Sequence, residues 1–247
     1  MLIRRIVDKN KKAHEGIWLK EASGSYELRG KTLGIIGYGN IGSQVSVLAE
    51  GLGMKVIFYD AETKLPLGNA EDKKSLKEVV SKADIVTLHV PELESTKNLI
   101  NKSNLKYFKQ GGILINYARG EVVDLDALKK ALLDGHLGGA AVDVFPVEPE
   151  KNGDKFYTPL QNLSNVILTP HIGGSTQEAQ HNIGDDVSNK LFNYLEKGIS
   201  TGSHSIPALA LPPQEGYVVL DVDKGLSKNA LDLLRNVKST IKVRRLY

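Results

Sequence analysis

The stretch from Leu33 to Asp60, LGIIGYGNIGSQVSVLAEGLGMKVIFYD, constrains this chain more than any other. Leu33, Ile35 and Ile36 form an apolar run that reads as a buried strand. It leads into Gly37-Tyr38-Gly39-Asn40-Ile41-Gly42. Ile41, Val45, Leu48, Ala49 and Leu52 then recur at helical spacing, and Gly51 and Gly53 mark that helix's end. A second apolar strand over 55–59 closes on Asp60. Such a βαβ unit pairs its strands in parallel through a right-handed crossover. Gly37 permits the tight turn, Gly39 lets a diphosphate approach the backbone, and Gly42 lets helix and strand pack closely. The free N–H groups and dipole at the helix start favour an anion. Asp60 is spaced to accept hydrogen bonds from a ribose diol and to repel a 2′-phosphate, which favours NAD over NADP. The bland alternative is a structural unit that binds nothing.

With 247 residues, the chain has room for one large domain, or one domain with additions. Its 32 basic and 29 acidic residues leave a net charge of +3, too even to argue for a nucleic-acid partner. It has no cysteine, which excludes disulfides, thiolate catalysis and cysteine-ligated metals, and no metal site is expected. The opening MLIRRIVDKNKKAH is too charged for a signal-peptide core, and no apolar run reaches membrane-spanning length. A cytoplasmic protein with no membrane partner is therefore expected.

Leu2, Ile3, Ile6 and Val7 suggest an amphipathic helix leading to Ile17, Trp18 and Leu19. Trp18, the single tryptophan, fits either core packing or a subunit contact. Leu76, Val79 and Val80 suggest a short helix. Strands are expected over 84–90, 112–116, 138–144 and 166–169. Asp124 reads as the N-cap of a helix ending at Leu133, with Gly135 as its stop. Residues 145–165 read as a long loop and 175–196 as one long helix. Alternating strands and helices predict an α/β fold, a doubly wound parallel sheet of the Rossmann type with a ligand crevice at the strands' carboxyl ends. His89, the run Asn116-Tyr117-Ala118-Arg119, Asp143 and His171 all follow such ends, so they are expected to share one pocket.

Arg119 offers a permanent charge that can bind a carboxylate bidentately, against a bland reading as a surface ion pair. His171, between Pro170 and Ile172-Gly173-Gly174, suits proton exchange in an alcohol–carbonyl interconversion. Glu148, stiffened by Pro146 and Pro149, is a candidate to orient that imidazole. A lone histidine is more often structural.

Residues 116–124 (NYARGEVVD), Asp143-Val144-Phe145, Glu148-Pro149 and 169–176 (TPHIGGST) together resemble the D-isomer-specific 2-hydroxyacid dehydrogenases. The resemblance runs from Leu2 to Lys197 and resumes at Gly216. It implies NAD as cofactor and a small-molecule substrate. Arg119 would hold the substrate carboxylate, His171 would be the acid/base, and Glu148 would pair with it. The implied cofactor residues are Gly37, Gly39, Asn40, Ile41, Gly42, Asp60, His89, Tyr117, Ala118, Arg119, Asp143, His171, Ile172, Gly173 and Gly174. Tyr117 departs from the small residue usual at its position. The stretches 64–70 and 169–180 look like the branch that oxidises a phosphorylated 2-hydroxy acid, 3-phosphoglycerate, to 3-phosphohydroxypyruvate. Another 2-hydroxy acid such as 2-hydroxyglutarate stays open, as does an NAD-binding and oligomerisation module with little turnover. The resemblance also implies homo-oligomers formed through the nucleotide domain, and a substrate domain whose leading segment is not in this sequence. The expected organisation is an NAD-binding domain over 1–200, a linker over 201–216 containing Pro207, Pro212 and Pro213, and a partial ACT-like βαβ segment over 217–247. Loss of serine inhibition is expected with the rest of that ACT domain absent.

Overall fold

A computed structural model describes residues 1–197 together with Leu233 and Asn236. The chain separates into two compact units, residues 1–176 and a second that starts at Gln177. The expected linker over 201–216 lies outside the described residues, as does the ACT-like segment over 217–247 apart from those two positions.

The first unit is built on seven parallel strands: β1 (Thr32–Ile36), β2 (Lys55–Tyr59), β3 (Glu71–Asp72), β4 (Ile85–Leu88), β5 (Gly112–Asn116), β6 (Leu137–Val142) and β7 (Val166–Leu168). Their spatial order is β3-β2-β1-β4-β5-β6-β7. The order in which successive strands are laid down therefore reverses between β1 and β4, the switch point at which such sheets open a ligand crevice. Helices α1 (Ile6–His14), α2 (Asn40–Gly51), α3 (Leu76–Lys82), α4 (Lys102–Leu105) and α5 (Leu125–Leu133) connect or flank the strands.

The period-two geometry of strands explains why these runs are apolar throughout. Leu33 and Ile35 of β1 join one core cluster with Ala49 of α2, while Ile36 joins another with Val79 and Val80 of α3. Both faces of the strand are covered, as parallel sheets require. Each fully buried aliphatic side chain contributes about 1.5–3 kcal/mol relative to exposure.

Three sequence expectations are corrected, and one short strand was not foreseen. In α2 the buried residues are Gly42, Ser46 and Ala49, while Ile41, Leu48 and Leu52 are exposed. The helix lies so close to β1 that a Cβ on Gly42 would stand 2.1 Å from the Gly37 carbonyl oxygen, so the contact line admits only small residues. Trp18 is not core: it is 86% exposed. The third long strand is confined to Ile85–Leu88, which leaves His89 and Val90 beyond its end. The two-residue β3 lies in a stretch too polar to show a strand pattern.

Tyr38, inside the glycine-rich turn, is 3% exposed. Its ring stacks on Phe58 at 3.8 Å, and its hydroxyl lies 2.6 Å from Ser46 Oγ while accepting the Leu67 N–H at 3.2 Å. The tyrosine thus ties α2 to the loop after Asp60. At the opposite, amino-terminal edge of the sheet a cavity of about 470 Å³ opens beside Ile3, Lys31, Asp84 and Lys109.

In the second unit, α6 (Gln177–Lys197) carries Ile183, Val187, Leu191 and Leu195 at four-residue spacing, all exposed. Among the described residues no helix is long and apolar enough to cross a membrane.

The Asp124 carboxylate accepts the Ala127 N–H at 2.9 Å and so caps α5 as its sequence position predicts. Asp124→Ala is expected to cost about 1 kcal/mol, with Asp124→Asn restoring most of it. Thermal melting checks this, with a shift of about 2–4 °C expected for the alanine variant.

Candidate active site

The carboxyl ends of the strands carry nearly all the chemistry-bearing residues. After β1, Gly37 turns with φ +92°, and a Cβ there would lie 2.4 Å from the His89 carbonyl oxygen. Only glycine meets both demands. Around Gly39, in contrast, a Cβ would meet nothing within 4 Å. The turn is locked at Gly37 and Gly42 and open at Gly39, a cradle that fits an approaching diphosphate. No side-chain hydrogen bond caps α2 at Gly39, so the orphan N–H groups of the first turn remain available to an anion.

Asp60 follows β2. Its Oδ2 accepts the Tyr38 N–H at 2.7 Å and its Oδ1 accepts the Glu62 N–H at 2.9 Å. A carboxylate has about four acceptor positions, so each oxygen keeps one for a ribose hydroxyl. His89 follows β4, with Nε2 3.1 Å from Thr87 Oγ1. Burial holds its imidazole below the usual histidine value and favours the neutral ring.

After β5, Asn116 is fully buried and shapes the next turn. Its Oδ1 accepts the Ala118 N–H at 3.1 Å, and its Nδ2 donates to the Arg119 carbonyl at 3.0 Å. Arg119 is exposed, and its Nη1 donates to the Ala118 carbonyl at 2.7 Å. Among the described residues its guanidinium forms no ion pair.

After β6, Asp143 is 2% exposed. Its Oδ1 accepts the Thr169 hydroxyl at 2.5 Å and the Ile172 N–H at 3.0 Å, and its Oδ2 accepts the Gly173 N–H at 3.0 Å. These bonds fix the loop that follows β7. Within that loop His171 has φ +52°, a left-handed backbone that a residue with a Cβ adopts only at a cost. His171 Nδ1 lies 2.8 Å from Glu148 Oε2, while Glu148 Oε1 accepts the Phe145 N–H at 2.9 Å. Burial works against the Glu148 charge, but the bonds from His171 and the Phe145 amide outweigh it and hold the carboxyl below its ordinary value. Engaging Nδ1 leaves Nε2 as the nitrogen free for a substrate.

The structure thus pairs His171 with Glu148 across 23 residues of sequence and brings Asp143 to the His171 loop. It does not bond Arg119 to either of the other two catalytic candidates. Two positioning residues escaped the sequence reading, and Asn116, expected in the pocket, has a bonding role that was not foreseen. Asn116 and Thr169 act through bonds that no spacing rule reveals. Tyr38 lay hidden as the variable residue of the glycine motif.

Residues 1–173 match the NAD binding domain of the D-isomer specific 2-hydroxyacid dehydrogenases. The chain belongs to that family. It is 47% identical, along its whole length, to 70% of the D-3-phosphoglycerate dehydrogenase of Haemophilus influenzae. Among solved structures, a glyoxylate reductase from Paecilomyes thermophila is similar over 80% of this chain and 59% of its own, with a TM-score of 0.71 and 31% identity. The D-lactate dehydrogenase of Lactobacillus jensenii, determined with NAD+, is similar over 76% of this chain and 60% of its own, with a TM-score of 0.69 and 32% identity. The chain therefore spans about three-fifths of these solved structures. The family's chemistry is NAD-dependent dehydrogenation, and NAD is the cofactor of the matched domain.

Gly37→Ala is expected to weaken NADH binding at least tenfold, since even 1.4 kcal/mol of strain in the turn gives that factor. Fluorescence titration with NADH checks this. The Glu148 carboxyl is lower in the folded chain than in the unfolded one, so its stabilising contribution is full above the ordinary carboxyl value. That contribution is lost as the pH falls through the lowered folded value. Glu148→Gln should therefore flatten the acid side of a stability-against-pH curve measured by denaturant unfolding.

Proposed function

We propose that this chain interconverts 3-phosphoglycerate and 3-phosphohydroxypyruvate with NAD, the entry step of serine synthesis. The observation that carries the reading is the His171–Glu148 pair, found on the same sheet edge as Arg119, which forms no ion pair among the described residues. The 47% identity to a D-3-phosphoglycerate dehydrogenase supports this substrate over other 2-hydroxy acids.

Each residue has a role the chemistry requires. Arg119 binds the substrate carboxylate through parallel N–H bonds and, in the reducing direction, polarises the keto acid so that its carbonyl carbon accepts a hydride. Nε2 of neutral His171 takes the proton of the substrate hydroxyl. The Glu148 carboxylate holds the ring's orientation and stabilises the imidazolium that forms. Bound nicotinamide supplies the acceptor for the hydride leaving the same carbon. Asn40 and Ile41 hold the diphosphate at the start of α2, Asp60 accepts from the adenosine ribose, and the backbone from Tyr117 to Arg119 and from Ile172 to Gly174 borders the nicotinamide. His89 and Asp143 complete that wall.

A second reading has one observation in its favour. The His171 side chain is 52% exposed, whereas hydride transfer benefits from a site closed to water. On that reading the chain binds NAD and assembles with little turnover. Copies associating through the nucleotide domain, with exposed Trp18 at the contact, would be compatible with either reading.

The test is NADH oxidation with 3-phosphohydroxypyruvate. Turnover is expected in the wild type and is expected to fall by about 10²-fold or more in His171→Ala with NADH affinity retained. Arg119→Lys is expected to raise KM for the keto acid more than it lowers kcat, because a lysine cannot reproduce the bidentate bond. NADH binding without turnover in the wild type would support the second reading.

A further inference from the structure

The five residues from Thr169 to Gly173 carry His171 at their centre in a left-handed backbone. A single short bond inside the loop, from His171 N–H to the Thr169 carbonyl at 3.1 Å, cannot by itself hold that conformation. From inside the fold, Asp143 grips the Thr169 hydroxyl and the Ile172 and Gly173 amides. Glu148 meets the His171 ring and Ser175 Oγ lies 3.5 Å from the His171 carbonyl oxygen, while Tyr117 reaches the Thr169 end of the segment.

Tyr117 extends from the carboxyl end of β5 and is 41% exposed, so core packing does not account for its ring. Its hydroxyl lies 3.3 Å from Thr169 Oγ1. The Thr169 proton is committed to Asp143, so the tyrosine hydroxyl is the donor in this pair. The ring also stands near the far end of the loop, close to where a side chain on Gly173 would project. A Cβ added to Gly173 would stand 3.7 Å from Tyr117 Cδ1 and 3.2 Å from Asp143 Oδ2. Tyr117 and Asp143 therefore flank one glycine from two sides, and the tyrosine spans from Thr169 to Gly173 across His171.

We propose that Tyr117 is a positioning residue that straps the His171 loop from the solvent side, acting on Thr169 through its hydroxyl and on Gly173 through its ring. The chain runs from the Tyr117 hydroxyl to Thr169 Oγ1, to Asp143, and on to the Ile172 and Gly173 amides. Weakening its first link loosens the last. The contact at 3.3 Å is longer than the usual O–H···O distance, so its removal has a modest effect. The catalytic consequence rests on the dehydrogenase reading above. The strap itself does not.

Amide hydrogen exchange followed by NMR tests it on the full chain, in the wild type, Tyr117→Phe, Thr169→Val and the double variant. Exchange at Ile172 and Gly173 is expected to quicken about two- to fivefold in each single variant, with the rest of the sheet unchanged. The double variant should be little faster than Thr169→Val, because both substitutions cut the same chain. With 3-phosphohydroxypyruvate, Tyr117→Phe should lower kcat by a similar factor. Unchanged exchange at Ile172 and Gly173, additive effects in the double variant, or faster exchange across the whole sheet would each overturn the strap. A wild type that binds NADH without turnover would count against the dehydrogenase reading alone, since the exchange rates decide the strap without it.

Discussion

One buried carboxylate holds the chemistry of this domain in place. Asp143 stands at the end of β6, almost wholly withdrawn from water, and accepts three hydrogen bonds from the segment after β7. A buried charge is tolerated only when hydrogen bonds replace its lost hydration. Here the compensating donors are the backbone and hydroxyl groups that bracket His171. Charge solvation and loop geometry are therefore the same interaction. It offsets the cost of the left-handed backbone at His171 and leaves the imidazole pointing where Glu148 can meet it. Strain of this kind persists only where the surroundings over-determine it.

The same division of labour recurs along the sheet edge. Asn116 folds the turn that presents Arg119, and Asp60 accepts from the amide of Tyr38 in the glycine turn. In each case a short polar side chain at a strand's end makes hydrogen bonds to backbone and so fixes the turn beside the site. The strands fix the positions of these ends because both faces are packed: α2 covers one side of β1 and α3 the other. A rigid sheet with polar caps at one edge is how an otherwise apolar βαβ array acquires a site.

Most of this organisation was legible in the sequence because strong local signals and topology agreed. The glycine turn, the N-cap at Asp124 and the strand at Gly112–Asn116 follow from residue types at fixed spacing. The meeting of Asp143 with the His171 loop agrees with the rule that parallel strands end on one edge. What escaped was governed by close packing and single hydrogen bonds. The apolar pattern of α2 marked Ile41, Leu48 and Leu52, yet small residues line the contact with β1 because the backbones approach too closely for larger ones. No pattern in the sequence distinguishes Thr169 from an ordinary loop polar residue, or shows which groups Asn116 bonds at the end of its strand.

Asp143→Asn tests the central claim most directly, because it keeps the side chain's size and removes one acceptor oxygen and the charge. The measurement is kcat for 3-phosphohydroxypyruvate reduction, taken beside NADH affinity and the melting temperature. If Asp143 governs the His171 loop, kcat falls by about 10²-fold, the scale of a misplacement near 1 Å, while NADH affinity and melting change far less. A variant that turns over as fast as the wild type would show that the loop holds His171 without Asp143, and would contradict this account.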